Sequence, residues 1–268
     1  MSRGDFIRGR NLSEAWAKAF VECWNSHNNI LAPQMVCFDV DEEDSSWDLE
    51  TLKIRQVLDE QLDEFGIRSA NQSNIETVAG TIFPESVWKR CQGDREMLFK
   101  EYDQMWPRVE KCPRNNRGTY FRRLTAFGKP DDGPKVNQLE QIVQKWQSEN
   151  HCHGALQAGI FDPFQDHVNI RRLGFPCLQQ VVFHPHGANG VDGMTVVAFY
   201  ANQLLLEKAY GNYLGLFRLG RFMARQMDLK LRGISCFASN LKLSDRSGKK
   251  RDCEPLMRAL RKEIVDEL

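Results

Sequence analysis

The sequence predicts a mixed α/β or α+β fold, and three observations lead to that class. Segments with apolar residues at helical spacing recur along the chain, most clearly at 136–149 and 212–227. Two runs rich in β-branched residues, VVFHPH and TVVAFY, flank a Gly-Val-Asp-Gly turn at 190–193, which is typical of a β-hairpin. Helices and strands do not alternate regularly, so a mixed sheet is expected instead of a purely parallel one.

The first half of the chain is predicted to be mainly helical. Asn11 and Glu14 have the spacing of a capping pair at a helix N-terminus. The segment that follows, AWAKAFVECW, has apolar residues at helical spacing. A strand is expected around MVCFDV. Helices are expected at 49–64, 74–92 and 93–109, with an interruption of the second at Phe83-Pro84.

The second half supplies most of the sheet. Segments 112–118 and 128–136 are rich in Gly, Pro, Asn and Asp and are predicted to be surface loops. A helix at 136–149 is followed by a strand at 155–161, the hairpin, the helix at 212–227 and a last strand at 234–243. The charged tail from Ser244 ends in a helical pattern.

Composition excludes several function classes. The 268 residues carry 36 basic and 36 acidic side chains, and a formal net charge of zero argues against strong non-specific binding to nucleic acid or to a membrane surface. No apolar run approaches the ~20 residues of a membrane span, and the charged start lacks a secretion signal. The eight cysteines contain no CxxC pair and are expected to be free thiols. We therefore expect a cytoplasmic protein.

One stretch, 173–213, carries a candidate reaction site. Cys177 follows Pro176, the hairpin comes next, and polar residues Asn202 and Gln203 end its second strand before Asn212. This order resembles the active-site region of thymidylate synthases. Upstream segments resemble that family in the same order: NIETVAGTIFP with Glu76, then GDREMLFKEYDQMWPRV, then RGTYFRRL. The resemblance covers roughly 70–242, and the shared order of individually weak motifs carries it.

The resemblance implies a fold and an assembly. It predicts one thymidylate synthase-like domain over 1–268, in three layers, with a divergent tail at 244–268. In that family the mixed sheet packs against its twin, which implies a homodimer. The implied substrate is a small nucleotide-like molecule, and the implied donor is methylenetetrahydrofolate.

The resemblance also implies roles for single residues. Cys177 would be the nucleophile, because thiolate addition to C6 of a pyrimidine makes C5 nucleophilic. Glu76 would manage protons at the ring carbonyl. The implied substrate-binding residues are Asn212, Asn202, Gln203, Arg122, Arg123 and Trp106.

The departures from the family imply non-standard substrate recognition. Ala201, Asn202 and Gln203 stand where the family has Gln-Arg-Ser, and Gly154 and Ala155 stand where the partner's arginine pair would fall. A site without these arginines loses charge-assisted contacts that position a mononucleotide. Two functions therefore stay open: a transferase acting at C5 of a pyrimidine nucleotide or related heterocycle, and a repurposed relative that binds a nucleotide or a protein partner without turnover.

Each candidate residue also has an ordinary structural explanation. Cys177 could be a buried cysteine, Glu76 a solvated helix carboxylate, and Asn212 the N-cap of the helix that follows. The remaining candidates have equally ordinary explanations, as strand-end polar residues, a core tryptophan and surface salt bridges: Asn202, Gln203, Trp106, Arg122 and Arg123. Two His-x-His segments lack partners at zinc-site spacing, so no metal is expected.

Overall fold

A computed structural model describes residues 6–67, 74–115, 117–128, 135–148, 152–167, 176–187, 192–244 and 249–265. The strands of this part are β1 Ile7–Gly9, β2 Ile30–Leu31, β3 Gln34–Asp39, β4 Gln157–Gly159, β5 Leu178–His186, β6 Gly193–Tyr200, β7 Gln203–Leu204, β8 Leu231–Ala238 and β9 Leu241–Lys242. The predicted strands at 35–40, in the hairpin and at 234–243 are all present, whereas the strand predicted at 155–161 is shorter.

Helices make up the rest of the regular structure. They are α1 Leu12–Asn25, α2 Leu52–Glu64, α3 Asn74–Ile82, α4 Glu85–Arg90, α5 Arg95–Val109, α6 Tyr120–Thr125, α7 Gln138–Gln147, α8 Pro163–Asp166, α9 Tyr210–Gln226, α10 Lys249–Asp252 and α11 Glu254–Val265. A π-helical segment, Leu205–Ala209, leads directly into α9. The predicted break at Phe83-Pro84 separates α3 from α4, while α6 was not predicted.

Two sheets organise the strands, and the larger one is mixed. Its order is β1-β3-β8-β6-β5-β4, with β1/β3 and β6/β8 parallel and the remaining pairs antiparallel. The small second sheet has the order β2-β9-β7. The strands predicted as a hairpin pair antiparallel from Leu178↔Tyr200 to His186↔Gly193, and most of their turn, 188–191, lies outside the described residues. The mixed α/β class is therefore confirmed.

One face of the large sheet is covered by helices. The helices α1 and α9 contact β3, β6 and β8, and α3 packs on the outer side of α9. This helix pair is very close, because a Cβ on Gly211 would lie 2.8 Å from the carbonyl oxygen of Ile75. The buried apolar cluster runs from Ile7 in β1 to Leu260 in α11, so the C-terminal helix packs on the same core as the sheet.

Candidate functional site

The backbone at Cys177 is fixed by the end of the hairpin. Cys177 lies immediately before β5, and its carbonyl oxygen accepts a 2.9 Å hydrogen bond from the N–H of Ala201. A β-bulge lies between Leu178 and Gln180, and the Gln179 side chain hydrogen-bonds back to the Pro176 carbonyl. Bulges of this kind re-aim the adjacent strand end. The Cys177 side chain is half-buried and packs against the core.

Tyr120 is the first side chain that lies next to Cys177. Burial, followed by the nearby Cys177, raises the pKa of Tyr120, and the backbone N–H groups of Leu178 and Cys177 act in the opposite direction. Tyr120 opens α6, which is capped by the Thr119 side chain accepting from the N–H of Arg122 at 3.1 Å. The phenol of Tyr120 is therefore held against the backbone of the candidate nucleophile.

Tyr200 is the second side chain that lies next to Cys177, and its hydroxyl makes no hydrogen bond within the described structure. It pairs with Leu178 across the hairpin and is completely buried. Its hydroxyl has no hydrogen-bond partner among the described residues. Burial raises the pKa of Tyr200 well above its ordinary value, with smaller contributions from neighbours that include Tyr120 and Cys177. A hydroxyl buried without a partner is unfavourable by about 1–3 kcal/mol, so such groups call for an explanation.

Gln203, one of the predicted site residues, also has a buried side-chain group without a hydrogen-bond partner in the described structure. Only 2% of it is exposed. Its Oε1 accepts a 3.2 Å hydrogen bond from the hydroxyl of Tyr213, whereas its Nε2 has no partner in the described part of the chain. Asn202, the other predicted strand-end residue, is half-buried and accepts a 3.0 Å hydrogen bond from Asn240. Gln203 thus has an unused donor in the described structure, while the Asn202 oxygen is already bound.

Asn212 does not cap a helix. The helix α9 begins at Tyr210 and follows the π-helical segment without a break, so the N-cap explanation of Asn212 is wrong. The sequence gives no strong stop signal between 205 and 213, which is why the helix start was predicted too late. Asn212 is 4% exposed, and its side-chain amide makes no hydrogen bond to the described residues. It therefore remains a candidate for reading a ligand.

Lys208 carries a positive charge that acts on Cys177, and no motif in the sequence marks this residue. It lies in the π-helical segment, whose backbone is held by a 2.7 Å hydrogen bond from the Asn74 side chain to the Glu207 carbonyl. Desolvation and then the charge of Arg114 lower the pKa of Lys208, while Glu207 and Cys177 raise it. Lys208 itself is exposed to solvent.

Glu76 occupies a different environment from the Cys177 cluster. Its carboxylate is bound by two nitrogens of Arg218, at 2.8 and 3.2 Å, and Arg55 lies 3.4 Å away. Burial acts to raise the pKa of Glu76, but the hydrogen bond and charge of Arg218, followed by Arg55, outweigh it and lower the pKa. Glu76 is therefore held as a carboxylate, and an anion in an ion-pair network is a poor proton donor at neutral pH.

Three other predicted residues lie in contacts of their own. Arg122 donates to Asp103 at 2.6 Å and lies 5.1 Å above the ring of Trp106. Trp106 is half-buried against the core. Arg123 is buried, and its guanidinium binds both oxygens of Asp166, at 2.7 and 2.9 Å, together with two backbone carbonyls. The surface-salt-bridge explanation of Arg123 is therefore wrong.

The structure thus groups the candidates into separate sets. Cys177 has Tyr120, Tyr200 and Lys208 among its charged and titratable neighbours, whereas Gln203 contacts Tyr213 and Asn240. Trp106 lies with Arg122. The described contacts connect neither Arg123 nor Glu76 directly to the Cys177 side chain. Arg171 and Arg172, which precede Cys177 in the chain, lie outside the described residues.

Comparison with known proteins gives no family assignment. No protein-family model matches the chain, and no curated protein matches it significantly. Within the described ranges, no group of three or more His, Cys, Asp or Glu side chains is arranged to hold a metal ion. None of the helices described is long and apolar enough to cross a membrane. The site geometry and the sequence resemblance therefore carry the functional argument.

Proposed function

We propose that the protein is a thymidylate synthase-like transferase that acts at C5 of a pyrimidine nucleotide through Cys177. The observation that carries the proposal is the position of Tyr200, which pairs with Leu178 directly after Cys177. Its buried hydroxyl has no partner in the described part of the chain, and neither has the buried Nε2 of Gln203, three residues further on. Buried polar groups are normally hydrogen-bonded, so these groups have the chemistry of a ligand-reading surface. A pyrimidine edge offers both acceptors and a donor for them.

The reaction proceeds by one covalent cycle. The Cys177 thiolate forms a bond to C6, and the C5–C6 electron pair moves toward the ring carbonyl, which leaves C5 nucleophilic. C5 then bonds to an electrophilic carbon and loses its hydrogen as a proton. The bond from that carbon to its donor breaks with the electron pair on the donor, water or a hydride takes the donor's place, and the S–C6 bond breaks to release Cys177. In the resembled family methylenetetrahydrofolate supplies the carbon. The Tyr120 phenol lies close to the Cys177 backbone and therefore near the thiolate. Asn212 and Gln203 would orient the pyrimidine ring.

The chain's own residues only partly suit a folate. One face of the Trp106 ring is covered by Arg122, which leaves that face closed to a pterin in this conformation. The helix α11 packs against α1 and α2 in place of a segment that closes over a ligand. Non-standard recognition of the donor is therefore part of the proposal.

One observation favours the second candidate, binding without turnover. Glu76 is paired with Arg218 and Arg55, so its carboxylate is committed to an ion-pair network. A repurposed relative would keep such a network for stability and would use the region around Cys177 only to bind a nucleotide. The two candidates differ in whether Cys177 forms a bond to the pyrimidine.

Covalent trapping separates the two candidates. The protein is incubated with 5-fluoropyrimidine nucleotides, with and without methylenetetrahydrofolate, and analysed by mass spectrometry. A transferase gives an adduct that maps to Cys177 and disappears in Cys177→Ser, while Cys152→Ser, which removes an exposed thiol, keeps it. Reversible binding that is equal in wild type and Cys177→Ser, without any adduct, would establish the binding protein instead.

We also propose a homodimer formed through the large sheet. On the face opposite α1 and α9, Met35, Phe237 and Phe199 lie side by side across β3, β8 and β6. Met35 and Phe199 are 40% and 37% exposed, and the Phe199 and Phe237 rings stack at 5.6 Å. A row of exposed apolar residues of this kind fits an identical row on a second copy.

Sedimentation measures this assembly directly. Wild type is expected to sediment as a dimer at micromolar concentration, and Phe199→Glu as a folded monomer, because burying an unpaired charge within this row is unfavourable. Phe164→Glu replaces a more exposed phenylalanine, 77% accessible, away from the sheet and should leave the dimer intact. A monomeric wild type would exclude this interface.

A further inference from the structure

His184 and His186 lie next to each other on one face of strand β5. They are two residues apart in the chain, and side chains at this spacing point to the same side of a strand. His184 pairs with Thr195, which is four positions before Phe199 in β6, so both histidines are on the sheet face opposite α1 and α9. His184 is exposed and His186 is half-buried, so the pair is accessible from the surface.

The two imidazole rings have the separation expected of two ligands of one metal ion. Their centroids are 5.3 Å apart, and the ring planes are inclined to each other by 82°. Two imidazoles that bind one tetrahedral zinc ion through nitrogens at about 2.0–2.1 Å have ring centres roughly 5 Å apart. The observed separation therefore matches a shared ion.

Thr195 orients the ring of His186. Its hydroxyl oxygen lies 2.7 Å from Nε2 of His186. When Nε2 carries the proton and donates to Thr195, Nδ1 keeps its lone pair for a metal ion. Histidines that bind metals commonly have their second ring nitrogen fixed by such a hydrogen bond. The ring of His184 makes no hydrogen bond to a described residue, so its nitrogens are open to a ligand within this part of the chain.

The charges around the pair suit a cation. On the neighbouring strand β8, the guanidinium of Arg232 is balanced by the carboxylate of Glu43 at 2.9 Å. A Cβ on Gly187 would collide with the carboxylate of Asp192, so this carboxylate lies beside the residue that follows His186. The three charged side chains sum to one negative charge, which attracts a cation and repels an anion.

We propose that His184 and His186 chelate one divalent transition metal ion per chain, at a site separate from the proposed transferase chemistry. Imidazole nitrogen suits Zn²⁺, Ni²⁺ and Cu²⁺, whereas Mg²⁺ and Ca²⁺ prefer oxygen ligands. Within the described ranges no third His, Cys, Asp or Glu side chain completes a group, so water fills the remaining positions on the ion. The expectation of no metal rested on the sequence spacing to further protein ligands, which a two-histidine chelate does not need.

Calorimetry with zinc chloride tests the site. The metal-free proteins to be titrated are wild type, His184→Gln, His186→Gln, Thr195→Val and the controls His27→Gln and Cys152→Ser. Both controls should bind zinc as wild type does, because they remove an exposed histidine and an exposed thiol outside the hairpin. Each variant of the histidine pair should bind zinc at least about 100-fold more weakly, and Thr195→Val about tenfold, since losing the hydrogen bond that orients a ligand typically weakens metal affinity 10–100-fold.

The melting temperature supplies a second readout. Zinc, but not magnesium, should raise the melting temperature of wild type, and this increase should be lost in both variants of the histidine pair. Equal zinc affinity of wild type and these two variants would overturn the site, and so would loss of zinc binding in Cys152→Ser. Covalent trapping at Cys177 does not depend on either result, so the metal site and the proposed transferase are tested separately.

Discussion

The Arg123–Asp166 cluster and the Cys177 site are both polar regions inside the fold, and they are built in opposite ways. Around Arg123 the guanidinium binds Asp166 and two carbonyls, and the N–H of Asp162 donates to the same carboxylate at 2.9 Å. In the region of the Cys177 strand end, the Tyr200 hydroxyl, and three residues further on the Gln203 amide, have unused hydrogen-bonding groups in the described structure. Saturated polar groups stabilise a fold, whereas unsaturated ones are a cost that a ligand can remove. The first region should therefore respond to substitution in stability and the second in binding.

The largest expected effect is a loss of stability on disrupting the Arg123–Asp166 cluster. Replacing Arg123 by Met removes both short ion-pair contacts of Asp166, whose side chain is 0% exposed, and leaves it only Arg117 at 3.8 Å and the N–H of Asp162. Removing one partner of a buried ion pair destabilises a protein by about 3–5 kcal/mol. Urea denaturation should show that loss. The neighbouring control, Arg122→Met, breaks a pair in which Asp103 is 68% exposed and should lower stability by less than about 1 kcal/mol. Equal losses of stability in the two variants would show that the buried pair contributes no more than the exposed one.

The next largest effect is on ligand binding, and the free energy of unfolding should change little or rise. Tyr200→Phe removes a buried hydroxyl that has no partner in the described structure, so the free energy of unfolding should stay within about 1 kcal/mol of wild type or rise. Pyrimidine nucleotide affinity should fall about tenfold, because one ligand hydrogen bond is lost. Tyr213→Phe is the matched control, since its hydroxyl donates to Gln203 and its loss should lower stability. A clear destabilisation by Tyr200→Phe with unchanged affinity would refute a ligand role.

The smallest effect concerns Glu76, whose pKa is lowered by Arg218 and Arg55. A carboxyl with a lowered folded-state pKa adds stability above its ordinary value of 4.5 and loses that contribution as the pH falls through the folded-state pKa. Wild type should therefore lose more stability than Glu76→Gln between about pH 5 and pH 3. Glu60→Gln, at an exposed position of α2, should behave as wild type. Parallel pH profiles of wild type and Glu76→Gln would show that the ion-pair network contributes nothing.

The sequence predicted elements whose signal is local. The hairpin strands, the break before α4 and most helices follow from periodicity, β-branched residues and proline, which act within a few positions. The start of α9 was misplaced because the π-helical segment before it has no sequence signature of its own. Its register depends on tertiary hydrogen bonds from Asn74 and to Leu243.

The site was predictable only where a motif existed. Cys177 and Gln203 come from the resemblance, and Gln203 indeed has an unused donor in the described structure. Arg123 was misjudged because its partner, Asp166, is 43 positions away in the sequence. Lys208 and Tyr200 gave no signal at all: a lysine in a helical run and a tyrosine in a strand are ordinary until the fold shows which groups surround them.

The most direct test of the account is exchange of the C5 hydrogen of pyrimidine nucleotides in deuterated water, followed by proton NMR without any one-carbon donor. Thiolate addition at C6 allows C5 to take up a deuteron and lose its proton before the thiolate leaves, so exchange reports the S–C6 bond itself. We predict that wild type exchanges the C5 hydrogen of a pyrimidine nucleotide and that Cys177→Ser does not exchange it. A folded wild-type protein that exchanges no pyrimidine nucleotide, or a Cys177→Ser variant that exchanges as well as wild type, would contradict the central role of Cys177.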